Sequence, residues 1–213
     1  MNAEFWHEKW RNNEIGFHET AVNPLLVSHL DTLKLAPGSR VFVPMCGKTL
    51  DIAWLLGKGY KVAAVELVES AIEQLFDELG VQPVVTPVGN LKLYAAPNLD
   101  VYVGDVYALS RDTLRPVDAV YDRAALIALP EPMRQRYTRH LTNISARAPQ
   151  LLISLAYDQS HMAGPPFSVN NKEVRLHYEG AYDMTLLHSK PITGGLKGKV
   201  DAVENVWRLL SRE

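Results

Sequence analysis

The stretch Arg40-Val-Phe-Val-Pro-Met-Cys-Gly-Lys48, followed directly by Thr49-Leu-Asp-Ile-Ala-Trp-Leu-Leu56, decides the fold. It predicts a short buried strand over residues 40–44, a tight turn around Gly47 and a helix over residues 49–58. Downstream, Lys61-Val-Ala-Ala-Val-Glu66 predicts a second strand that ends in an acid. A strand, a turn, a helix and an acid-tipped strand are typical of half of a nucleotide-binding βαβ unit.

The rest of the chain continues this alternation. We expect further strands at residues 91–94, 99–103, 117–121 and 151–157, helices at residues 4–11, 24–35, 69–79, 130–145 and 170–178, and a closing antiparallel pair at 184–189 and 204–210. Residues 81–90 contain two prolines and are expected to be irregular. The pattern predicts a doubly wound, mainly parallel α/β sheet with an antiparallel edge. We expect a single domain over residues 1–213, with a helical lid at 1–35 and the sheet core at 36–213.

Composition limits the functional classes. The chain has 213 residues, 47% of them hydrophobic and 22% charged, and a formal net charge of −2. Without a basic face, a nucleic-acid partner is not expected, and no apolar run reaches the length of a membrane span. The acidic, aromatic start is unlike a signal peptide, and the single cysteine fits a reducing compartment. We therefore expect a cytoplasmic protein, by default a monomer.

The expected topology indicates where chemistry takes place. In an open α/β sheet, ligands bind outside the carboxyl ends of the strands. The residues at those ends are the functional candidates: Met45-Cys-Gly-Lys48, Glu66, Gly104-Asp105, Asp122-Arg123 and Tyr157-Asp158.

The first turn and the acid together indicate the kind of cofactor. Glu66 follows Met45 by about the 20 residues expected for an acid that accepts hydrogen bonds from ribose hydroxyls. The turn has one glycine where a dinucleotide fingerprint has three, so Met45, Cys46 and Lys48 would crowd a pyrophosphate. This disfavours a NAD-dependent oxidoreductase and favours S-adenosylmethionine (SAM), which carries a ribose and no pyrophosphate. Asp105 would then lie beside the adenine amino group.

Several motifs, in order along the chain, resemble the thiopurine S-methyltransferase family. They are Trp6-x3-Trp10 with Phe17-His18, Pro44-Met-Cys-Gly-Lys48, Val65-Glu66, Gly104-Asp105, Tyr121-Asp-Arg-x-Ala-Leu126, and Tyr157-Asp158 with Gly164-Pro-Pro-Phe167. The resemblance implies a Rossmann-like class I SAM-dependent methyltransferase with a seven-stranded sheet. It also implies S-methylation of aromatic and heterocyclic thiols such as thiopurines, giving the thioether and S-adenosylhomocysteine.

The resemblance also implies roles for particular residues. Those matching the family's cofactor contacts are Trp10, Met45, Glu66 and Arg123, with Asp105 and Val106 beside the adenine. Phe17 matches a substrate-side aromatic. Family members commonly have Leu at the position of Met45, a volume-conserving change. The match is less clear over residues 190–201, so substrate contacts there are undefined.

Residue types and positions support further expectations. Residues 164–167 follow a sheet strand, so they are expected to border the substrate pocket, with Phe167 as a substrate contact. Arg123 is the candidate catalytic residue, because a guanidinium can hold the cofactor carboxylate or favour an anionic substrate. The aromatic N-terminal segment is expected to roof the cofactor, Trp10 by direct contact and Trp6 as core.

Alternatives remain for several of these residues and for the activity. For Asp122 the alternatives are catalysis, pairing with Arg123 and capping of a helix, and Cys46 is expected to fill space as a small buried residue. The histidines show no metal spacing, and we expect no metal. The function itself has two alternatives: methylation of selenium or tellurium compounds as the main physiological role, and a non-catalytic SAM- or nucleotide-binding protein.

Overall fold

The computed structural model describes residues 3–212, and within them the chain forms one sheet of nine strands. The strands are β1 (Arg40–Pro44), β2 (Lys61–Glu66), β3 (Val84–Val88), β4 (Leu91–Ala96), β5 (Leu99–Val103), β6 (Ala119–Arg123), β7 (Gln150–Tyr157), β8 (Tyr182–Pro191) and β9 (Ala202–Ser211). The helices are α1 (Ala3–Arg11), α2 (Pro24–His29), α3 (Leu50–Gly57), α4 (Glu69–Leu79), α5 (Arg111–Leu114), α6 (Glu131–Ile144) and α7 (Asn171–Tyr178).

The strand order is β3-β4-β5-β2-β1-β6-β7-β9-β8. Strands β5, β2, β1, β6 and β7 are parallel, and β9 and β8 close one edge in antiparallel fashion. The predicted class, a doubly wound mainly parallel sheet with an antiparallel edge, is confirmed.

The seven strands implied by the family resemblance are too few. Beyond β5 lie β4, which was expected at residues 91–94, and β3, which comes from the stretch that was expected to be irregular. Pro87 lies within β3, which is tolerated because β3 is an edge strand and needs no donor on its open side. Val84 and Val85 are exposed, so the strand lacks the buried face by which sequence patterns are recognised.

Local capping explains where the first helices begin and end. The Asn23 side chain accepts hydrogen bonds from the N–H groups of Leu25 and Leu26, so it is the N-cap of α2, with Pro24 in the first turn, as predicted. The α-helix ends at His29 and continues only as a 3-10 turn over Leu30–Leu33, short of the expected residue 35. Gly80, with φ +65°, ends α4 at its predicted boundary.

The central strands are buried on both faces. In β1, Val41 and Val43 pack in one apolar cluster while Phe42 packs in the other, on the opposite face of the sheet. Such two-sided burial is the reason why parallel strands read as continuous apolar runs.

The antiparallel edge brings one more strand end to the functional side of the sheet. Leu155 of β7 is paired with Glu204 of β9, and Tyr157 with Ala202. The first residues of β9 therefore lie beside the carboxyl end of β7. No helix among residues 3–212 is long and apolar enough to cross a bilayer.

Candidate functional site

A cavity of about 1100 Å³ opens at the carboxyl edge of the parallel strands. Its walls come from the N-terminal segment, the strand ends and two later loops. The lining includes Trp6, Trp10, Phe17, Met45, Cys46, Gly47, Lys48, Glu66, Arg123, Leu155, Gly164, Pro165, Pro166, Leu196 and Glu204. The site that topology predicted for the ends of β1, β2 and β6 is therefore a real concavity.

The turn after β1 has an unusual backbone. Met45 and Gly47 both have positive φ, +47° and +53°. At Gly47 a Cβ atom would lie 3.2 Å from the Trp10 ring, so the backbone passes directly beneath the indole. A non-glycine residue at positive φ is held there by its surroundings, and such positions cluster at functional sites.

Glu66 joins this turn to the end of β2. Its Oε2 accepts a 2.8 Å hydrogen bond from the Gly47 N–H, and its Oε1 accepts one of 2.9 Å from the Val68 N–H. The carboxylate is 7% exposed, and burial raises its pKa, opposed by these backbone donors. Each oxygen keeps acceptor capacity toward the cavity, which suits a ligand that presents two hydroxyl donors.

The aromatic residues of the N-terminal segment pack on one another above the turn. Phe17 makes edge-to-face contacts with Trp6 and Trp10, with ring centroids 5.6 and 5.8 Å apart. Trp10 is buried and shares a small apolar cluster with Val68 and Ala71 of the β2–α4 region, whereas Phe17 is 36% exposed. All three rings line the cavity, so Trp6, expected to be core alone, also faces it.

Arg123, at the end of β6, extends into the cavity from the opposite side. Its guanidinium lies 3.2 Å from Glu19 of the N-terminal segment, and the side chain is only 16% exposed. The next residue, Ala124, has φ +67°, which ends the strand sharply. Arg123 thus connects the strand edge to the segment that precedes α2.

Asp122 does not line the cavity. It is fully buried, and it accepts a 3.1 Å hydrogen bond from the Leu126 N–H and one of 2.8 Å from the Tyr137 hydroxyl. Burial raises the pKa of Asp122 to about 6, against these donors. Of the roles considered for it, capping the turn at residues 126–128 is the one that the structure shows.

Three predicted site residues lie outside the cavity walls. Asp105 is exposed and its Oδ1 accepts from the Tyr107 N–H at 2.9 Å, while the Val106 carbonyl lies 2.8 Å from His140 Nε2. The Phe167 ring packs against Gly164, and its centroid lies 5.8 Å from the Arg134 guanidinium. Their assignment to cofactor and substrate stays a prediction.

Other lining residues were not predicted. Glu204 reaches the cavity from β9, and Leu196 and Lys197 reach it from the region where the motif match was unclear. Cys46 is buried, and burial together with Glu66 raises its pKa well above the ordinary value, which disfavours the reactive thiolate. Among residues 3–212 no group of three or more histidine, cysteine or acidic side chains is arranged to hold a metal.

Two solved structures with a similar fold are methyltransferases. A Burkholderia thailandensis 1,6-didemethyltoxoflavin N1-methyltransferase, crystallised with S-adenosylhomocysteine, matches with a TM-score of 0.66 at 14% identity, over 98% of this chain and 87% of that one. A SAM-dependent methyltransferase of Methanosarcina mazei matches with a TM-score of 0.63 at 14% identity, over 90% and 99%. The fold is that of the class I SAM-dependent methyltransferases.

Sequence comparison identifies the family. The thiopurine S-methyltransferase (TPMT) family model matches residues 1–213. The thiopurine S-methyltransferase of Xanthobacter autotrophicus is 53% identical over 210 residues, 98% of this chain and 99% of that protein, and that of Teredinibacter turnerae is 50% identical over 209 residues, 98% and 97%. The chain belongs to the thiopurine S-methyltransferase family of SAM-dependent methyltransferases.

Proposed function

We propose that this protein transfers the methyl group of SAM to the sulfur of an aromatic or heterocyclic thiol, such as a thiopurine, releasing the thioether and S-adenosylhomocysteine. The observation that carries the proposal is one cavity whose wall combines the buried Glu66 carboxylate, beside a tight turn, with several aromatic and apolar side chains. Family membership over the whole chain supports the same reaction.

The residues present fit the cofactor. Glu66 keeps acceptor capacity for the ribose hydroxyls, and the crowded turn, with one glycine, leaves no cradle for a pyrophosphate. We assign Met45 and Trp10 to the walls around the cofactor, Asp105 and Val106 to the adenine end, and Arg123 to the cofactor carboxylate or an anionic substrate. When bound, SAM supplies an electrophilic methyl group on a positively charged sulfur.

The protein itself has mainly to position the partners and exclude water. Charge is lost from the cofactor as the new bond forms, so no developing anion needs an oxyanion hole. Phe17, Pro165 and Pro166 offer apolar surface to a flat acceptor ring, and Phe167 supports that loop from behind. A thiol reacts as its thiolate, which a heteroaromatic thiol forms readily.

The N-terminal segment is proposed to act as a lid. It reaches the rest of the site through Trp10 over Gly47 and through the ion pair of Glu19 with Arg123. We propose residues 1–35 as this lid, on a single domain that works as a monomer. We also propose a cytoplasmic location, in keeping with the one cysteine of the chain.

Acceptor selectivity tests the proposal. Thiophenol, phenol and aniline present sulfur, oxygen and nitrogen on the same ring, and each is incubated with the protein and SAM. We expect methyl transfer to sulfur alone, measured as thioether and S-adenosylhomocysteine by mass spectrometry. Equal or greater transfer to oxygen or nitrogen would contradict S-methylation.

A further inference from the structure

One carboxylate of the cavity, that of Glu204, has no hydrogen-bond or ion-pair partner within residues 3–212. The other acids that line it are all engaged: Glu14 by Lys9, Glu19 by Arg123, Asp51 by the Tyr121 hydroxyl and the Asn23 N–H, and Glu66 by two backbone N–H groups. Among residues 3–212, no hydrogen-bond donor or cation lies within bonding distance of the Glu204 carboxylate. A half-buried carboxylate without a donor is stabilised by any ligand that brings one.

Glu204 has one apolar and one basic neighbour on its own sheet. Its register partner on β7 is Leu155, and that on β8 is Lys190, which is exposed and forms no ion pair with it. Two further cations line the cavity: Arg123, already paired with Glu19, and Lys197 of the β8–β9 loop, which donates to the Pro165 carbonyl at 3.2 Å. Burial raises the pKa of Glu204, Glu19 raises it further and Arg123 lowers it.

We propose that Glu204 accepts the substrate proton, and that the preferred acceptors are heterocycles that carry an N–H or S–H at the reacting thione or thiol group. The inference rests on the proposed function. As the acceptor sulfur forms its bond to the methyl group, the bond from that methyl to the cofactor sulfur breaks, leaving a neutral thioether. The N–H or S–H proton passes to the Glu204 carboxylate and from there to water. No oxidant or further reactant is needed.

This role is different from two others that the position allows. A carboxylate that only held Arg123 in place, or only attracted the positive sulfonium, would act equally on every acceptor. A proton acceptor matters most for acceptors that are neutral at the working pH and least for those already ionised as thiolates.

The test compares acceptors of graded acidity in the full-length protein. Values of kcat/KM are measured at pH 7 for a series of acceptors, from a heterocyclic thione with a ring N–H that is neutral at that pH to an aromatic thiol that is fully ionised. We expect Glu204→Gln to lower kcat/KM about 100-fold for the least acidic acceptor. For the ionised acceptor the value should change less than about threefold. Glu204→Asp should recover part of the loss. Asp201→Asn, the same charge change at an exposed site on the same hairpin, serves as the control and should match the wild type throughout.

A binding measurement gives a readout without turnover. With S-adenosylhomocysteine present, a heterocyclic thione with a ring N–H is titrated by calorimetry alongside its N-methyl analogue. We expect Glu204→Gln to weaken binding of the N–H compound at least tenfold and to leave the N-methyl analogue unchanged. Equal losses for both compounds, or a kcat/KM deficit of the same size at every acidity, would overturn the proposal. If the wild type methylates no thiol, the proposed function fails instead.

Discussion

The backbone N–H of Gly47 donates a 2.8 Å hydrogen bond to Oε2 of Glu66, and this bond joins the turn after β1 to the end of β2. The same glycine lies directly beneath Trp10, where a Cβ atom would come within 3.2 Å of the indole. The turn therefore contacts both the buried acid and the aromatic side chains above it. A change at any one of them is expected to alter the proposed cofactor site.

Gly47→Ala tests that connection. An alanine at this position must adopt a positive φ, which costs about 1–2 kcal/mol, and its methyl group must displace the Trp10 ring. We expect lower stability to urea and at least tenfold weaker SAM binding by calorimetry. Gly89→Ala is the matched control, since Gly89 has φ +57° but nothing within 4 Å of its Cβ position. A control variant that loses as much SAM affinity would refute the role of the Trp10 contact.

Deletion of residues 1–17 tests the lid. The truncation removes Trp6, Trp10 and Phe17 but leaves every strand and the α2 N-cap Asn23 in place. We expect SAM binding to be abolished, while the far-ultraviolet circular dichroism spectrum and a cooperative thermal transition are retained. Unchanged SAM affinity in the folded truncated protein would show that the segment is not a roof.

Substitution of Arg123 tests its proposed contact. Arg123→Ala removes a side chain that is 16% exposed and aimed into the cavity, and Arg123→Lys keeps the charge without the bidentate geometry. We expect SAM affinity or kcat/KM to fall about 10- to 100-fold in the alanine variant and by less in the lysine variant. Arg139→Ala, on the exposed face of α6, is the control. Full SAM affinity and full turnover in both variants would exclude the role.

The raised pKa of Asp122 predicts that the stability of the fold depends on pH. Its pKa is about 6 in the folded chain against 3.8 for an unperturbed aspartate, so the folded state binds this proton more tightly than the unfolded state. Its contribution is therefore fully present below pH 3.8 and is lost as the pH rises through 6. The loss amounts to about 3 kcal/mol.

Asp122→Asn removes that titration while keeping an acceptor for the Leu126 N–H. We expect the free energy of unfolding of the wild type, relative to that of the variant, to fall between pH 4 and pH 7 in urea titrations. Parallel pH profiles for the two proteins would contradict the raised pKa.

The sequence predicts the central strands well and indicates which strand-end residues meet at the cavity, because both depend on strong local signals. β1, β2 and α4 have their expected bounds, since apolar runs and a glycine cap define them. Met45, Glu66 and Arg123 converge because parallel strands place their carboxyl ends at one edge.

The remaining parts depend on tertiary contacts that leave no local pattern. β3 is an exposed edge strand with a proline, and its pairing to β4 is what defines it. Glu204 was missed because β9 runs antiparallel, so its beginning, and not its end, lies at the functional edge. An acid at the start of the mainly apolar final strand is the signal that would have indicated it. Phe167 follows three residues that line the cavity, yet its ring packs behind them on Gly164.

The central claim is that this cavity brings SAM and a thiol together for methyl transfer, and a single-turnover experiment with methyl-labelled SAM tests it most directly. Enzyme in excess over labelled SAM is mixed with an aromatic thiol, and the products are quantified by mass spectrometry. We predict that the label appears in the thioether in a one-to-one ratio with S-adenosylhomocysteine. Tight binding of SAM with no label in any thiol, selenol or tellurium acceptor would contradict the account.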